Sequence, residues 1–544
     1  MEYSVYTPHG RLELNISEFM VPMTDGATLY TLLFTPADAA ETLPIVLIRS
    51  PYVMECPDFA ETARNYAALL HGGYAVIFQH CRGCGRSGGE CDPYQHERED
   101  GLDTLAWIRT LPFYQHEIYL LGGSYLTSVH YSYLDTAPED IAGAVLPVQD
   151  INRYNICYRN GFFKSGLHGS WSVTMHRKKQ ISCKNYTTET FRTLPLNGIS
   201  ETIFGETIPT FEEVLRHPWP EDPYYQTPEG GSHYLHALDQ ISVPILFLTG
   251  FYDIYTEGIL DFFDHLRPEL RQQSALVVTP YDHGFEGINK KPDYPKSRLR
   301  EEWPDYARNW FDAIRKKDTL RFVTQGCVTW YEQFSGKWKT APTLEDGSLR
   351  KEFYLSGNKL LPEKPAEKPA DRTYIYNPFA PATFPGGCCH NFGGMQIQDA
   401  PGSRYDILNF ISDPLPEDMI QQGGMELQMD VKTDRPDTCF YARISIIRNG
   451  VAYGMRDEIT SIKRPYPDYQ PGETVRLTLR FTRNAIRFSA GDAIRLDISS
   501  SCWPHFVPHT NRTGLYSTQT GADIARNTVI CDGAKLILNT LPES

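Results

Sequence analysis

The chain has 544 residues, a formal net charge of −15, 41% hydrophobic residues and 22% charged residues. This length and composition predict a globular protein of about two to four domains. The acidic balance argues against nucleic acid and anionic membrane surfaces, both of which bind basic patches. The first residues lack the basic and apolar regions of a signal peptide, and no apolar run approaches the ~18 residues of a spanning helix. We therefore expect a cytoplasmic protein without membrane contact.

Twelve cysteines are scattered along the chain, which favours reduced thiols over a disulfide framework. Two groups have spacing or density typical of metal ligands: Cys81-Arg-Gly-Cys84 with Cys91, and Cys388-Cys-His390. A structural zinc site needs four ligands, and no second C-x-x-C motif completes either group. We predict no metal and no other cofactor.

The first part of the chain alternates apolar strands with helices. Residues 19–36 predict a hairpin that turns at Asp25-Gly26. Further strands are predicted at 45–48, 74–78, 118–121 and 141–146, and helices at 60–71 and 99–109. This alternation indicates a parallel sheet covered on both faces, with its chemistry at the carboxyl ends of the strands. The motif Gly83-Cys-Gly-Arg-Ser-Gly88 follows a strand but opens no helix, so we predict a loop and no nucleotide site.

A candidate nucleophile follows the strand at 118–121. Gly122-Gly-Ser124 comes directly after this strand, and apolar residues at helical spacing come after the serine. This pattern predicts a sharp strand–turn–helix with Ser124 at its apex, where the Tyr125 amide at the helix start can stabilise an oxyanion. Leu126 stands where the usual elbow motif has a second glycine, so the motif alone is a weak signal.

The alternation stops at about residue 149 and resumes at about 243. The insert is rich in aromatic residues, and it is either a mostly helical cap whose aromatics line a pocket over Ser124 or a unit in which they form the core. Our candidates for the pocket lining are Tyr158, Phe162, Phe163 and Trp171. The strand at 243–249 then leads into Asp253, the strand at 275–279 leads into His283, and a helix is predicted at 304–316.

Beyond residue 345 the pattern changes to short strands with period-two alternation. They are predicted at 425–431, 442–447, 475–481, 493–498 and 535–538, separated by turn residues. This pattern indicates an antiparallel sandwich or jelly roll. The predicted organisation is an α/β core at 1–148 and 243–345, a cap at 149–242 and a jelly roll at 346–544.

Three polar residues now follow three strands of one predicted sheet in the order Ser124, Asp253, His283. This is the chain order of the triad in α/β-hydrolases. A serine hydroxyl needs an adjacent base, which His283 can supply, and Asp253 can fix the imidazole tautomer. Asp282 is an alternative acid beside the histidine. Together the three residues predict a serine hydrolase.

The sequence resembles the CocE/NonD hydrolases, a family that includes cocaine esterase, α-amino acid ester hydrolases and X-Pro dipeptidyl-peptidases. The matching segments cover nearly the whole chain: Pro22-Met-Thr-Asp-Gly26, Arg49-Ser-Pro-Tyr52, Arg82-Gly-Cys-Gly-Arg-Ser-Gly88, Glu99-Asp-Gly101, Gly122-Gly-Ser-Tyr125, Gly250-Phe-Tyr-Asp253, Pro280-Tyr-Asp-His283, Ser403-Arg-Tyr-Asp-Ile-Leu408 and Ser499-Ser-Ser-Cys-Trp-Pro-His-Phe506. The resemblance implies an α/β-hydrolase core with a helical cap and a C-terminal jelly roll. It also implies that the Tyr52 hydroxyl joins the Tyr125 amide in the oxyanion hole.

The substrate is less closely defined. The amino ester hydrolases that this chain resembles hold the substrate ammonium with carboxylates just after the catalytic aspartate, where this chain has Ile254-Tyr-Thr256. We therefore expect cleavage of esters, or amides, of small acyl groups. Two alternatives remain: an X-Pro dipeptidyl- or aminoacyl peptidase, and a catalytically silent protein that binds carbohydrate through its jelly roll. The oligomeric state stays open, a homodimer included.

Overall fold

The computed structural model describes residues 1–38, 40–53, 55–177, 188–284, 303, 305–318, 320, 322–388 and 393–542. Cys389 and His390 of the second candidate metal group lie outside this part of the chain. Within it, no group of three or more His, Cys, Asp or Glu is arranged to hold a metal ion, and no helix is long and apolar enough to span a membrane. Of the first candidate group, Cys84 and Cys91 are buried with their Sγ atoms 3.5 Å apart.

The core is an eleven-stranded sheet in the order β1-β2-β3-β5-β4-β6-β7-β10-β11-β12-β13. Strands β4 to β7 and β10 to β12 run parallel to one another, whereas both edges are antiparallel. Their bounds are β1 (Glu2–Thr7), β2 (Gly10–Pro22), β3 (Thr28–Pro36), β4 (Ile45–Ser50), β5 (Ala75–His80), β6 (Ile118–Leu121), β7 (Ile141–Val145), β10 (Ile245–Tyr252), β11 (Ala275–Asp282), β12 (Val328–Glu332) and β13 (Lys337–Ala341). The central strands are buried throughout, as expected for a sheet with both faces covered.

Helices cover this sheet at α1 (Phe59–Asn65), α2 (Ala67–His71), α3 (Glu97–Ile108), α4 (Tyr125–Leu134), α10 (Thr256–His265), α11 (Pro268–Arg271) and α12 (Tyr306–Lys316). The single helix predicted at 60–71 is wrong in one respect, because the chain leaves helical geometry at Tyr66 and forms two helices. Tyr66 has φ −111° and ψ 18°, and its ring packs at 6.1 Å from that of Phe78 on the sheet.

The insert between β7 and β10 is mostly helical. It contains α5 (Arg153–Cys157), α6 (Ser170–Arg177), α7 (Ile199–Phe204), α8 (Pro209–Val214), α9 (Ser232–Gln240), a π-helical turn (Ser165–Gly169) and the two-stranded hairpin of β8 (Tyr158–Arg159) and β9 (Phe162–Phe163). Its apolar side chains join those of the core and the C-terminal region in one continuous buried cluster.

The C-terminal region is a β-sandwich of predominantly antiparallel strands in the order β20-β19-β22-β17-β15-β14-β23-β18-β21, with β16 paired to β23. Their bounds are β14 (Leu349–Ser356), β15 (Lys359–Leu361), β16 (Arg372–Tyr376), β17 (Leu408–Ser412), β18 (Met419–Thr433), β19 (Cys439–Arg448), β20 (Val451–Ser461), β21 (Val475–Phe488), β22 (Ala493–Ser499) and β23 (Ala525–Thr540). Strand β18 alternates buried and half-buried residues along its whole length, which is the period-two pattern of a sheet with one face on the core. The predicted fold class is therefore confirmed.

Candidate active site

The nucleophile elbow forms between β6 and α4. Ser124 has φ +57° and ψ −130°, a conformation that is costly for a residue with a side chain. A Cβ atom at Gly122 would come within 2.7 Å of the Leu126 Cβ, so the turn requires glycine there. The Tyr125 amide is the first of α4 and has no acceptor inside its own helix. The elbow thus presents a serine hydroxyl next to an available backbone N–H.

The acid and the base come from neighbouring strands. Strand β10 pairs in parallel with β11, and a bulge between Gly250 and Tyr252 shifts the register so that Tyr252 pairs with Asp282. A Cβ atom at Gly250 would lie 2.1 Å from the Tyr281 carbonyl oxygen, so this bulge needs a glycine. The residues that follow the shifted pair are Asp253 and His283, and the bulge therefore brings them side by side.

Ser124, His283 and Asp253 form one hydrogen-bonded chain. The His283 Nε2 lies 2.8 Å from the Ser124 Oγ, and the His283 Nδ1 lies 2.8 Å from the Asp253 Oδ1. The Asp253 carboxylate is buried, and its Oδ2 accepts a second hydrogen bond from the Thr249 hydroxyl at 2.7 Å. A carboxylate on Nδ1 favours the tautomer whose Nε2 can accept the serine proton.

The alternative acid, Asp282, is oriented differently. Its Oδ1 accepts a hydrogen bond from the Gly284 amide at 3.2 Å, and the His283 Nδ1 is bonded to Asp253 instead. Asp253 is therefore the carboxylate that orients the imidazole.

Tyr52 lies at the carboxyl end of β4, two residues after its last residue, and borders the same cavity as Ser124. Its hydroxyl accepts a hydrogen bond from the Trp171 Nε1 at 2.8 Å. Desolvation raises the Tyr52 pKa to about 12, although 45% of the residue is exposed, so the phenol keeps its proton at neutral pH. A neutral phenol can donate a hydrogen bond to a developing oxyanion.

Buried polar contacts fix the ring of Tyr125. Its hydroxyl donates to the Glu97 carboxylate and accepts from the Tyr94 amide at 2.9 Å. Burial raises the pKa of Glu97, and the hydrogen bond from Tyr125 acts against that rise. The side chain of the residue that begins α4 is therefore fixed by polar contacts.

A cavity of about 40 Å³ lies directly beside Ser124. Aromatic and apolar side chains form most of its wall, and no acidic side chain borders it among the described residues. The lining residues are Tyr52, Tyr94, Ser124, Tyr125, Gln149, Ile156, Leu167, His168, Trp171, Tyr255 and His283.

Of the four aromatic residues predicted to line the pocket, Trp171 alone borders this cavity within the described chain. Among the described residues, the other three do not border it. Phe163 packs against Phe191 and Phe211 inside the cap, and Phe162 packs against Phe506 of the C-terminal region. Tyr158 donates its hydroxyl to the Val214 carbonyl at 2.9 Å, and it borders a separate cavity of about 610 Å³ where the cap, the core and the sandwich meet.

Sequence reasoning missed Tyr94, Gln149 and Tyr255, which also border the cavity. A signal existed for Tyr255, because it follows the predicted acid by two residues and therefore leaves the same strand end. Tyr94 has φ +71° in an irregular loop, and no periodicity in the sequence marks such a position.

Comparisons with known proteins agree with this fold. A family model described as X-Pro dipeptidyl-peptidase (S15 family) matches residues 25–285, and the model of the X-Pro dipeptidyl-peptidase C-terminal non-catalytic domain matches residues 322–536. The chain is 23% identical to cocaine esterase from Rhodococcus sp. (strain MB1 Bresler) over 549 residues, which cover 92% of this chain and 93% of that protein.

Two solved structures show the same fold. One is an aminopeptidase from a marine sediment archaeon, Thaumarchaeota archaeon, with a TM-score of 0.80, 17% identity and 97% of each chain covered. The other is a CocE/NonD family hydrolase from Staphylococcus aureus, with a TM-score of 0.69, 14% identity, and 100% of this chain and 96% of that chain covered. The chain therefore belongs to the CocE/NonD family of hydrolases, with an S15-type catalytic domain followed by the C-terminal domain of the X-Pro dipeptidyl-peptidases.

Proposed function

We propose that this protein is a serine esterase that hydrolyses esters of small acyl groups through an acyl-enzyme. The observation that carries the proposal is the hydrogen-bonded chain of Ser124, His283 and Asp253, of which the first two border a cavity of about 40 Å³. A cavity of that volume has room for an acyl group of a few heavy atoms.

The roles follow from the chemistry of each group. His283 takes the proton from the Ser124 hydroxyl as the oxygen attacks the ester carbonyl. The Tyr125 amide and the Tyr52 hydroxyl donate to the oxygen that becomes negative. His283 then gives the proton to the departing alcohol, and a water molecule activated by the same imidazole hydrolyses the acyl-serine. Asp253 stabilises the imidazolium that exists between these transfers.

The second candidate is a dipeptidyl- or aminoacyl peptidase, which the match to the S15 family model favours. Such an enzyme must hold the free ammonium group of its substrate, and a buried ammonium needs a carboxylate or several acceptors. The cavity beside Ser124 has no acidic side chain in its described wall. The described wall is mainly aromatic and apolar, which suits an uncharged acyl group and supports the esterase over the peptidase.

The test combines active-site labelling with a substrate panel. We expect a fluorophosphonate to modify Ser124, and p-nitrophenyl acetate to be a better substrate than X-Pro anilides. Ser124→Ala should lose at least about 10⁴-fold in kcat, since the nucleophile is removed. Ser132→Ala, a buried serine on the same helix whose hydroxyl donates to the Val129 carbonyl, is the matched control and should retain activity.

Three outcomes would count against the proposal. Ester hydrolysis that survives in Ser124→Ala would refute the serine mechanism. Turnover of X-Pro anilides that is abolished by acetylating the substrate amine would favour the peptidase. A folded protein that resists labelling but binds carbohydrate would favour the silent binding protein.

A further inference from the structure

One residue of the cap reaches the oxyanion tyrosine. Trp171 lies in the first turn of α6, and its Nε1 is 2.8 Å from the Tyr52 hydroxyl oxygen. An indole nitrogen can only donate, whereas a phenol both donates and accepts. In this contact Tyr52 must therefore be the acceptor. Its one proton is therefore directed away from the indole.

The indole is itself held in a fixed orientation. Its ring lies 5.0 Å from that of Tyr125, 5.8 Å from that of Tyr94 and 6.0 Å from that of His168, with which it stacks at 29° between planes. All three of these residues border the cavity beside Ser124. The same side chain thus packs on the residue that supplies one oxyanion donor and bonds to the residue that supplies the other.

We propose that Trp171 is a positioning residue of the oxyanion hole, which by donating to Tyr52 turns the phenolic proton towards the substrate carbonyl oxygen. The inference rests on the proposed esterase function and deepens it. It makes the cap part of the catalytic apparatus, because the second oxyanion donor is aligned only when α6 is seated on the core.

The hydrogen bond from Trp171 should also make the Tyr52 hydroxyl a stronger donor. A hydroxyl that accepts a hydrogen bond is a stronger donor, because chains of hydrogen bonds polarise one another. In agreement, the hydrogen bond from Trp171 acts against the rise in the Tyr52 pKa that desolvation causes.

The test is a double-mutant cycle on p-nitrophenyl acetate hydrolysis. Trp171→Phe keeps an aromatic ring in place and removes the N–H. We expect kcat to fall about tenfold with KM little changed, because ground-state packing survives while transition-state alignment is lost. Tyr52→Phe should lose about 10²-fold to 10³-fold, the usual cost of one oxyanion donor. In the Tyr52→Phe background, Trp171→Phe should have no further effect on kcat.

Trp171→His is the second variant, since it keeps a ring N–H and should retain more activity than Trp171→Phe. Equal kcat losses from Trp171→Phe in the presence and absence of the Tyr52 hydroxyl would overturn the proposal, because the indole would then act by packing alone. A loss confined to KM would overturn it too. The Ser124→Ala variant, measured beside them, distinguishes failure of the proposed esterase mechanism from failure of the positioning role. If Ser124→Ala keeps its activity, the esterase mechanism is wrong. If Ser124→Ala is inactive but the effects of Trp171→Phe and Tyr52→Phe on kcat are independent, only the positioning role is wrong.

Discussion

Tyr255 forms the side of the Ser124 cavity next to the imidazole. Its ring meets that of His283 edge to face, with centroids 5.6 Å apart, and it is almost completely buried. Because it follows Asp253 by two residues, the strand end that places the acid also places this wall. On the proposed esterase function, a bulky ring at that position limits the length of the acyl group that can enter.

Tyr255→Ala should therefore shift the acyl preference. Each buried methylene contributes ~0.8 kcal/mol, so the two extra methylenes of a butyrate should gain ~1.6 kcal/mol once the ring is removed. We expect the kcat/KM ratio of p-nitrophenyl butyrate to acetate to rise about tenfold. Tyr255→Phe keeps the ring and should retain the parental ratio. An unchanged ratio in the alanine variant would show that the acyl group binds elsewhere.

For individual residues, the sequence predicts which polar side chains come together better than it predicts which aromatic side chains line the cavity. Ser124, Asp253 and His283 each follow a predicted strand, and the rule that parallel strand ends share one edge brings them together. Whether an aromatic residue faces the cavity or the interior of the cap depends on packing between segments distant in sequence. Trp171 and Phe163 are equally aromatic, and no local pattern separates them.

Among the elements, α4 joins the elbow to the interior of the core. All its residues except Leu126 are buried, including His130. The His130 Nδ1 lies 2.6 Å from the Tyr133 hydroxyl and its Nε2 lies 3.3 Å from the Leu121 carbonyl oxygen, so the ring connects the helix to the strand before Ser124. Burial lowers the His130 pKa to about 3. The folded protein therefore keeps this imidazole neutral.

The lowered pKa of His130 makes the folded state less stable as the solution becomes more acidic. The folded pKa of about 3 lies below the value of about 6.5 of an exposed histidine, so in this window only the unfolded state binds the proton. The neutral His130 imidazole therefore makes its full contribution to the free energy of unfolding above pH 6.5, and this contribution is lost as the pH falls towards 3. At pH 4.5 the loss is about 2–3 kcal/mol.

His130→Gln should therefore make the stability of the folded protein less sensitive to a fall in pH below 7. It should lower the Tm at pH 7, because the imidazole contacts are lost, yet the further drop in Tm from pH 7 to pH 4.5 should be smaller than in the parent protein. The exposed His236 on α9 is the matched control, since its ring meets water in both states, and His236→Gln should keep the parental drop. Identical drops in all three proteins would contradict the prediction.

Strong periodicity decides which elements sequence analysis finds. Strands β18, β19, β21, β22 and β23 of the sandwich and helix α3 are predicted because their apolar residues repeat at a period of two or at helical spacing. Strand β1 was missed because it has one fully buried residue, Val5, and its sequence is otherwise polar. Strands β12 and β13 were missed because the antiparallel hairpin that they form lies beyond the expected α/β alternation.

At the scale of the whole molecule, Arg483 of the sandwich contacts the core helix that follows Asp253. Arg483 lies on β21, and its guanidinium contacts three carboxylates of α10: Glu257 at 2.9 Å, Asp261 at 2.8 Å and Asp264 at 2.5 Å. Its backbone amide also donates to Glu257 at 2.8 Å. Helix α10 begins three residues after Asp253, so this contact connects the C-terminal region to the loop that carries the acid.

The predicted succession of core, cap and sandwich says nothing about such a contact. Three acidic residues at positions 257, 261 and 264 share one face of a helix, and in the sequence they resemble an ordinary exposed face. Their partner lies more than two hundred residues further along the chain. Only the docking of the two regions shows that the acidic face of α10 is an interdomain surface.

Arg483→Gln should loosen this junction. The substitution leaves Glu257 and Asp261 without their cation, whereas Asp264 keeps its pair with Arg271 at 3.2 Å. We expect a loss of about 2 kcal/mol, less than for a fully buried pair because water screens the exposed oxygens. Arg480→Gln on the same strand is the matched control, since Arg480 is 73% exposed, pairs with Glu426 at 3.3 Å and should contribute less than about 0.5 kcal/mol. The apparent Tm and the rate of limited proteolysis between core and sandwich measure the effect. If both variants behave alike, the Arg483 contact does not hold the two regions together, and the sandwich must be retained by its apolar interface with the cap and the core.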